Sequence, residues 1–194
     1  MSFILRLPLL AALAAATLPF ATVLAVPTGF TNVATGDLSS LATTSNFVIA
    51  SKQFGTELNI GYNITTEGNA VILYTPTTAG SPNQQWILNN VIGSPTEYTI
   101  QSADAPTFLS FPGAVVSGTS FNGQTVVDPI CYPTYTIKQV TPGVNGYIIT
   151  ENMFGATLTA WAQYVESKTI GVATFQRTVD LGNAQVWELF AAPA

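Results

Sequence analysis

The stretch SPNQQWILNN (81–90) sets two glutamines beside a tryptophan, and NAQVWELF (183–190) repeats the pattern. Gln84-Gln85-Trp86 returns as Gln185-Val186-Trp187, with the two tryptophans 101 residues apart. A single Gln-x-Trp triplet says little, because buried tryptophans flanked by polar residues occur in many strands. A recurrence at a fixed interval is a repeat signal, and self-similarity outranks local propensity in deciding a fold.

Three segments align around these closings: FVIASKQFGTELNI (47–60), YTIQSADAPTFLSF (98–111) and YIITENMFGATLTA (147–160). They put Leu58, Leu109 and Leu158 at steps of 51 and 49 residues, and each copy runs on to a closing aromatic, Trp86, Tyr135 and Trp187. From 45 to 190 short β-branched and aromatic runs, NFVIAS and TELNI through GVATFQ and QVWELF, alternate with Gly, Pro and Asn clusters. Such runs predict strands. Twelve of them, in three copies of about 50 residues, predict an all-β, three-fold barrel closed by hairpins.

Three repeats with Gln-x-Trp closings resemble the β-trefoil lectins of the ricin B-chain type, over nearly all of 45–190. The resemblance implies that Trp86 and Trp187 fill the barrel core while Gln84 and Gln185 tie local backbone and fix a hairpin. A buried tryptophan supplies a large apolar area and needs one partner for its indole N–H. The competing reading makes these tryptophans surfaces on which a ligand stacks.

The resemblance also implies a sugar site in each repeat, built from an acid just after the first leucine, an aromatic platform at the end of the third strand, and an asparagine just before Gln-x-Trp. Each type has a chemical reason. A pyranose has an apolar face that stacks on a ring and a rim of hydroxyls that need donors and acceptors, and a carboxylate accepts with charge-assisted strength. Repeat one keeps Tyr74 at the platform, twelve residues before Trp86, and Asn83 before Gln84, but has Asn59 in place of the acid. Ile72 stands where the family often has a polar contact. Repeat three offers Phe175, twelve residues before Trp187, with Asn183 one place early and Thr159 in place of the acid. Repeat two departs furthest, with Ser110, Pro129 and PTYTI at the corresponding places, and reads as a filler. The bland alternative is that Tyr74 and Phe175 only cover apolar surface and that Asn83 only caps a turn. Strand alternation from Leu158 turns Thr159 and Trp161 away from the core. With Tyr164, Trp161 would make a second stacking surface.

The N-terminal 25 residues read as a secretory signal peptide: Arg6, an apolar run from Leu7, and Val23 and Ala25 ahead of a cleavage point. An uncleaved membrane anchor is the competing reading, disfavoured by Pro8, Pro19 and the lack of positive charge on the right flank. Residues 26–44 read as an extended lead-in, and 45–194 as one trefoil domain. Cys131 is the only cysteine, so no intrachain disulfide forms and the core must hold by packing.

After removal of Arg6 with the leader, Lys52, Lys138, Lys168 and Arg177 face ten carboxylates, 4 − 10 = −6, a balance that repels nucleic-acid phosphates. Asn63-Ile64-Thr65 is an N-glycosylation sequon, which predicts a surface turn. Histidine is absent, which removes His-based triads and imidazole metal sites, and Glu57, Glu67 and Glu97 read as loop or strand-edge charges. The expectation is therefore a secreted, non-catalytic carbohydrate-binding protein with degenerate sites, no cofactor, no metal, no nucleic-acid partner and no membrane span in the mature chain. The alternative is a trefoil protease inhibitor presenting a loop at 111–123 or 162–168.

Overall fold

The computed structural model describes residues 30–33, 38, 45–77, 81–110, 122–130, 132–165, 168–176 and 180–192, with backbone alone for 122–124, 126, 162–165 and 168–170. The leader 1–25, Cys131 and most of the loop 111–123 lie outside the described residues. Among the described residues no helix is long and apolar enough to cross a membrane.

The first repeat contributes β2 (Asn46–Ser51), β3 (Glu57–Ile60), β4 (Val71–Tyr74) and β5 (Gln85–Asn90). The second has β6 (Glu97–Ser102), β7 (Phe108–Ser110), a short β8 (Asn122–Gln124), β9 (Val126–Asp128) and β10 (Tyr135–Gln139). The third has β11 (Tyr147–Glu151), the long β12 (Thr157–Val165) and β13 (Lys168–Gln176), and β14 (Trp187–Ala191). The sequence predicts twelve strands; β8 and an N-terminal β1 (Thr31–Asn32) bring the total among the described residues to fourteen.

Pairing closes six of these into a ring. β2 pairs β5, β5 pairs β6, β6 pairs β10, β10 pairs β11, β11 pairs β14, and β14 returns to β2, all antiparallel. Closure gives each of these six strands a partner on both sides, so none of them is an edge strand. The middle strands of each repeat form hairpins, β3–β4, β7–β9 and β12–β13. These join one another through β4–β13 pairing and through Thr125, whose carbonyl accepts from Val71 N at 2.8 Å and whose N–H donates to Ala173 O at 3.0 Å. Gly171 sits at the closest approach: a Cβ there would meet Trp161 O at 2.5 Å and Leu73 Cδ1 at 2.9 Å, so any side chain forces β12, β13 and β4 apart.

Leu58, Leu109 and Leu158 are fully buried, and each one's carbonyl accepts a hydrogen bond from the closing aromatic of its own repeat. Trp86 Nε1 reaches Leu58 O at 3.2 Å, Tyr135 OH reaches Leu109 O at 2.7 Å, and Trp187 Nε1 reaches Leu158 O at 2.9 Å. The tyrosine of the divergent repeat thus makes the bond that an indole makes in the other two. It also stacks on Phe175, centroids 5.7 Å apart. Tyr135→Phe keeps the ring and leaves the Leu109 carbonyl buried without this donor, so chemical denaturation should show a loss of about 1–3 kcal/mol. An unchanged stability would mean that the three closings are not equivalent.

The described residues of the lead-in, 30–33 and 38, are part of the packed domain. β1 pairs with β14, Val33 and Leu38 are buried in the core, and Tyr147 OH donates to Val33 O at 2.9 Å. Phe30 covers a separate outer cluster of Val48, Ala50 and Phe190. A domain start near Ser45 therefore omits strand, core and hydrogen-bonding residues upstream. Thr, Ser and Gly content hides them, because a two-residue strand carries no period.

Candidate functional site

In repeat one, Leu58 and Leu73 face the core, so their strand neighbours face out. Glu57 stands directly opposite Tyr74, and Asn59 opposite Ile72. Residues opposite each other in antiparallel strands share a face, which gathers these four into one outward patch. The 3-10 turn Pro82–Gln84 then brings Asn83 over it: Asn83 Nδ2 lies 3.4 Å from Asn59 Oδ1 and 3.4 Å from Ile60 O. Gln84 fixes that turn, donating to Thr75 O at 3.2 Å and accepting from Thr77 Oγ1 at 2.8 Å. Tyr74 and Asn83 are half-buried, whereas Asn59 is buried. The three residues expected at the repeat-one site are thus brought together.

Glu57 is the residue that sequence reasoning misplaced. It is the first residue of β3, paired on both sides with Ala50 and Tyr74, yet it is 1 % exposed and its Oε2 has no hydrogen-bond partner among the described residues. Burial pushes its carboxyl up to about 7, into the range where it holds a proton at mildly acidic pH. The available signal was its position: one residue before a core leucine and two before Asn59, it must share the outward face with Asn59.

Repeat three does not reproduce the patch. Phe175 stands opposite Leu158 and is fully buried against Tyr135, so it is a core residue and no platform. Its counterpart in repeat one is Leu73, opposite Leu58; the residue matching Tyr74 is Gln176, opposite Thr157. The equal twelve-residue spacing misleads because the connection to Trp187 is one residue shorter than that to Trp86, and a shift of one along a strand exchanges its faces. Thr159 is also buried, its hydroxyl donating to Thr157 O at 3.0 Å and accepting from Gln185 Nε2 at 3.2 Å. Both its hydrogen-bonding roles are filled internally. Ala184, not Asn183, precedes Gln185 as Asn83 precedes Gln84; Asn183 is exposed on the turn Gly182–Gln185. Ser110 of repeat two is buried as well.

Trp161 is 42 % exposed, as the alternation predicts, with Nε1 donating to Thr174 Oγ1 at 2.9 Å. The side chain of Tyr164 lies outside the described residues. Asn63 is exposed in a left-handed turn (φ 59°), a conformation asparagine tolerates better than most residues.

No protein-family model and no curated protein sequence matches the chain. Solved structures do. ThreeFoil, a designed three-fold symmetric protein, superposes with a TM-score of 0.60 at 18% identity, covering 74% of this chain and 96% of that one. The Rhizoctonia solani agglutinin gives 0.61 at 16%, covering 77% and 96%. The ricin B-like lectin of Macrolepiota procera, solved with lactose, gives 0.57 at 17%, covering 76% and 95%. The chain has the β-trefoil fold of the ricin B-like lectins. At these identities the likeness is one of fold, and the trefoil's function must be argued from its own side chains.

Proposed function

We propose that this trefoil is a secreted, non-catalytic carbohydrate-binding protein whose principal site is the repeat-one patch. The observation that carries the reading is the meeting of Asn83 with Asn59, which shares one face of the β3–β4 hairpin with half-buried Tyr74. Tyr74 supplies an apolar face for a pyranose, and Asn83 supplies a donor and an acceptor for its hydroxyls. The lactose held by the Macrolepiota lectin supports the same ligand class on the same fold. Affinity should be modest, since the positions where the resemblance puts an acid hold Asn59, Ser110 and Thr159. The leader 1–25 would deliver the chain to the secretory route, where the exposed Asn63 sequon takes an N-glycan.

A glycan array probed with the purified protein should give binding to neutral oligosaccharides that disappears in Tyr74→Ala. Tyr74 lies outside the core, so the variant should unfold within a few degrees of the parent. Binding unaffected by Tyr74→Ala would contradict the site, and an empty array would contradict the function.

A further inference from the structure

The turn Gly182–Gln185 and the β10–β11 hairpin enclose a second cleft of about 520 Å³, within the size range of small-molecule sites. Its apolar walls are Val140 and Ile148, from the junction of repeats two and three, and Val186. Asp180 and Asn183 line it, both exposed and neither with a side-chain hydrogen bond among the described residues, together with the buried Thr157. Gln185 also lines it but is committed to the turn, accepting from Leu181 N at 3.2 Å and donating to Thr159. Lys138 stands directly opposite Ile148 in the sheet, placing a cation on the same face.

Comparison of the three repeats shows what sets this junction apart. The pair Lys138–Ile148 corresponds to Phe190–Val48 at the junction of repeats three and one, and to Asn89–Thr99 at the junction of one and two. Phe190 and Val48 are covered by Phe30 from the N-terminal segment. Asn89 and Thr99 are polar and need no cover. At the third junction no such segment covers apolar Ile148 and Val140 among the described residues; Ile148 is half-buried and Val140 is 53 % exposed.

We propose that this inter-repeat cleft is a second carbohydrate subsite, taking a neutral pyranose ring whose apolar face rests on Ile148, Val140 and Val186 and whose hydroxyls are held by Asp180 and Asn183. The inference rests on the carbohydrate reading above and deepens it. It assigns the acceptor carboxylate to Asp180, in the connection before Gln-x-Trp, in place of the sealed Thr159. Asp180 is held at φ 76°, a conformation that asparagine shares readily with aspartate, so Asp180→Asn removes the charge and keeps the turn.

The test is calorimetric titration of the full chain with lactose, cellobiose and maltose as neutral probes and glucuronic and galacturonic acids as acidic ones. In a Tyr74→Ala background, which isolates the cleft, residual binding of a neutral sugar is expected. That residual binding should weaken about tenfold in Asp180→Asn, as loss of a charge-assisted bond predicts, and vanish in Ile148→Glu, which puts a charge in place of the apolar wall. Asn183→Ala, an exposed change, checks the result should Ile148→Glu fold poorly. Tighter binding of the uronic acids, or no residual binding after Tyr74→Ala while the parent binds, overturns the second subsite and leaves the repeat-one site standing. No binding of any probe by the parent overturns both.

Discussion

Trp187→Ala is expected to cost about 3–5 kcal/mol of folding stability, as large aromatic-to-alanine truncations in cores do. Two effects act together. The indole is fully buried, so its removal opens a cavity in the core that β11, β14 and β2 surround. Its N–H also satisfies Leu158 O at 2.9 Å, and a buried carbonyl stripped of its donor carries a penalty of its own. Trp86→Ala should behave alike, because Trp86 is equally buried and bonds Leu58 O. With total stabilities of about 5–15 kcal/mol for domains of this kind, either change removes a large share. A single cysteine provides no intrachain cross-link to absorb it. Urea denaturation measures the difference directly. A loss below about 1 kcal/mol would mean that these tryptophans do not fill the core.

Glu57→Gln is expected to stabilise the protein at neutral and alkaline pH and to flatten its pH dependence. The parent carboxyl titrates near 4.5 when exposed and near 7 when folded. Because the folded state keeps a proton that the unfolded chain releases, stability is fully present below about pH 4.5, declines as pH rises, and levels off above about 7. At about 1.4 kcal/mol per pKa unit, the decline is on the order of 3 kcal/mol. Glu188, two strands along in the same row beyond Ala50, acts in the same direction: burial raises its carboxyl, and Lys52 offsets part of the rise. Denaturation midpoints measured from pH 4 to 8.5 should fall with pH in the parent and stay level in Glu57→Gln apart from the Glu188 contribution. A parent that grows more stable as pH rises through this window would contradict the burial of Glu57.

The fold was legible because three features of the sequence recur at one period and each has a packing reason. Core leucines must alternate with outward residues, a closing aromatic must reach the leucine carbonyl, and glutamine must pin the turn before it. Even Tyr135, which breaks the Gln-x-Trp pattern, falls at the right step and makes the right bond. The proximity of Asn59, Tyr74 and Asn83 was legible for the same reason, since strand register puts Asn59 and Tyr74 on one face of the hairpin and the turn before Trp86 carries Asn83 to Asn59.

Repeat three was misread where spacing to the tryptophan was taken as the guide. Strand face depends on pairing with Leu158, and one missing residue in the connection sends Phe175 inward and moves Asn183 along the turn. Asp180 was passed over because the cleft it borders has walls supplied by residues distant in sequence, Val140 and Ile148, which no local pattern announces. Glu57 was passed over because a charged residue is ordinarily solvated, and its burial follows from what packs over the hairpin rather than from its own strand.

The most direct test of the account is an NMR titration of the isotopically labelled protein with the neutral oligosaccharide that binds best on the array. Amide shifts should concentrate at 57–60, 72–74 and 81–84, with a second group at 140, 148 and 180–186 at higher sugar concentration. Shifts confined to other surfaces, or none at saturating sugar, would contradict a carbohydrate-binding trefoil that works through Tyr74 and Asn83.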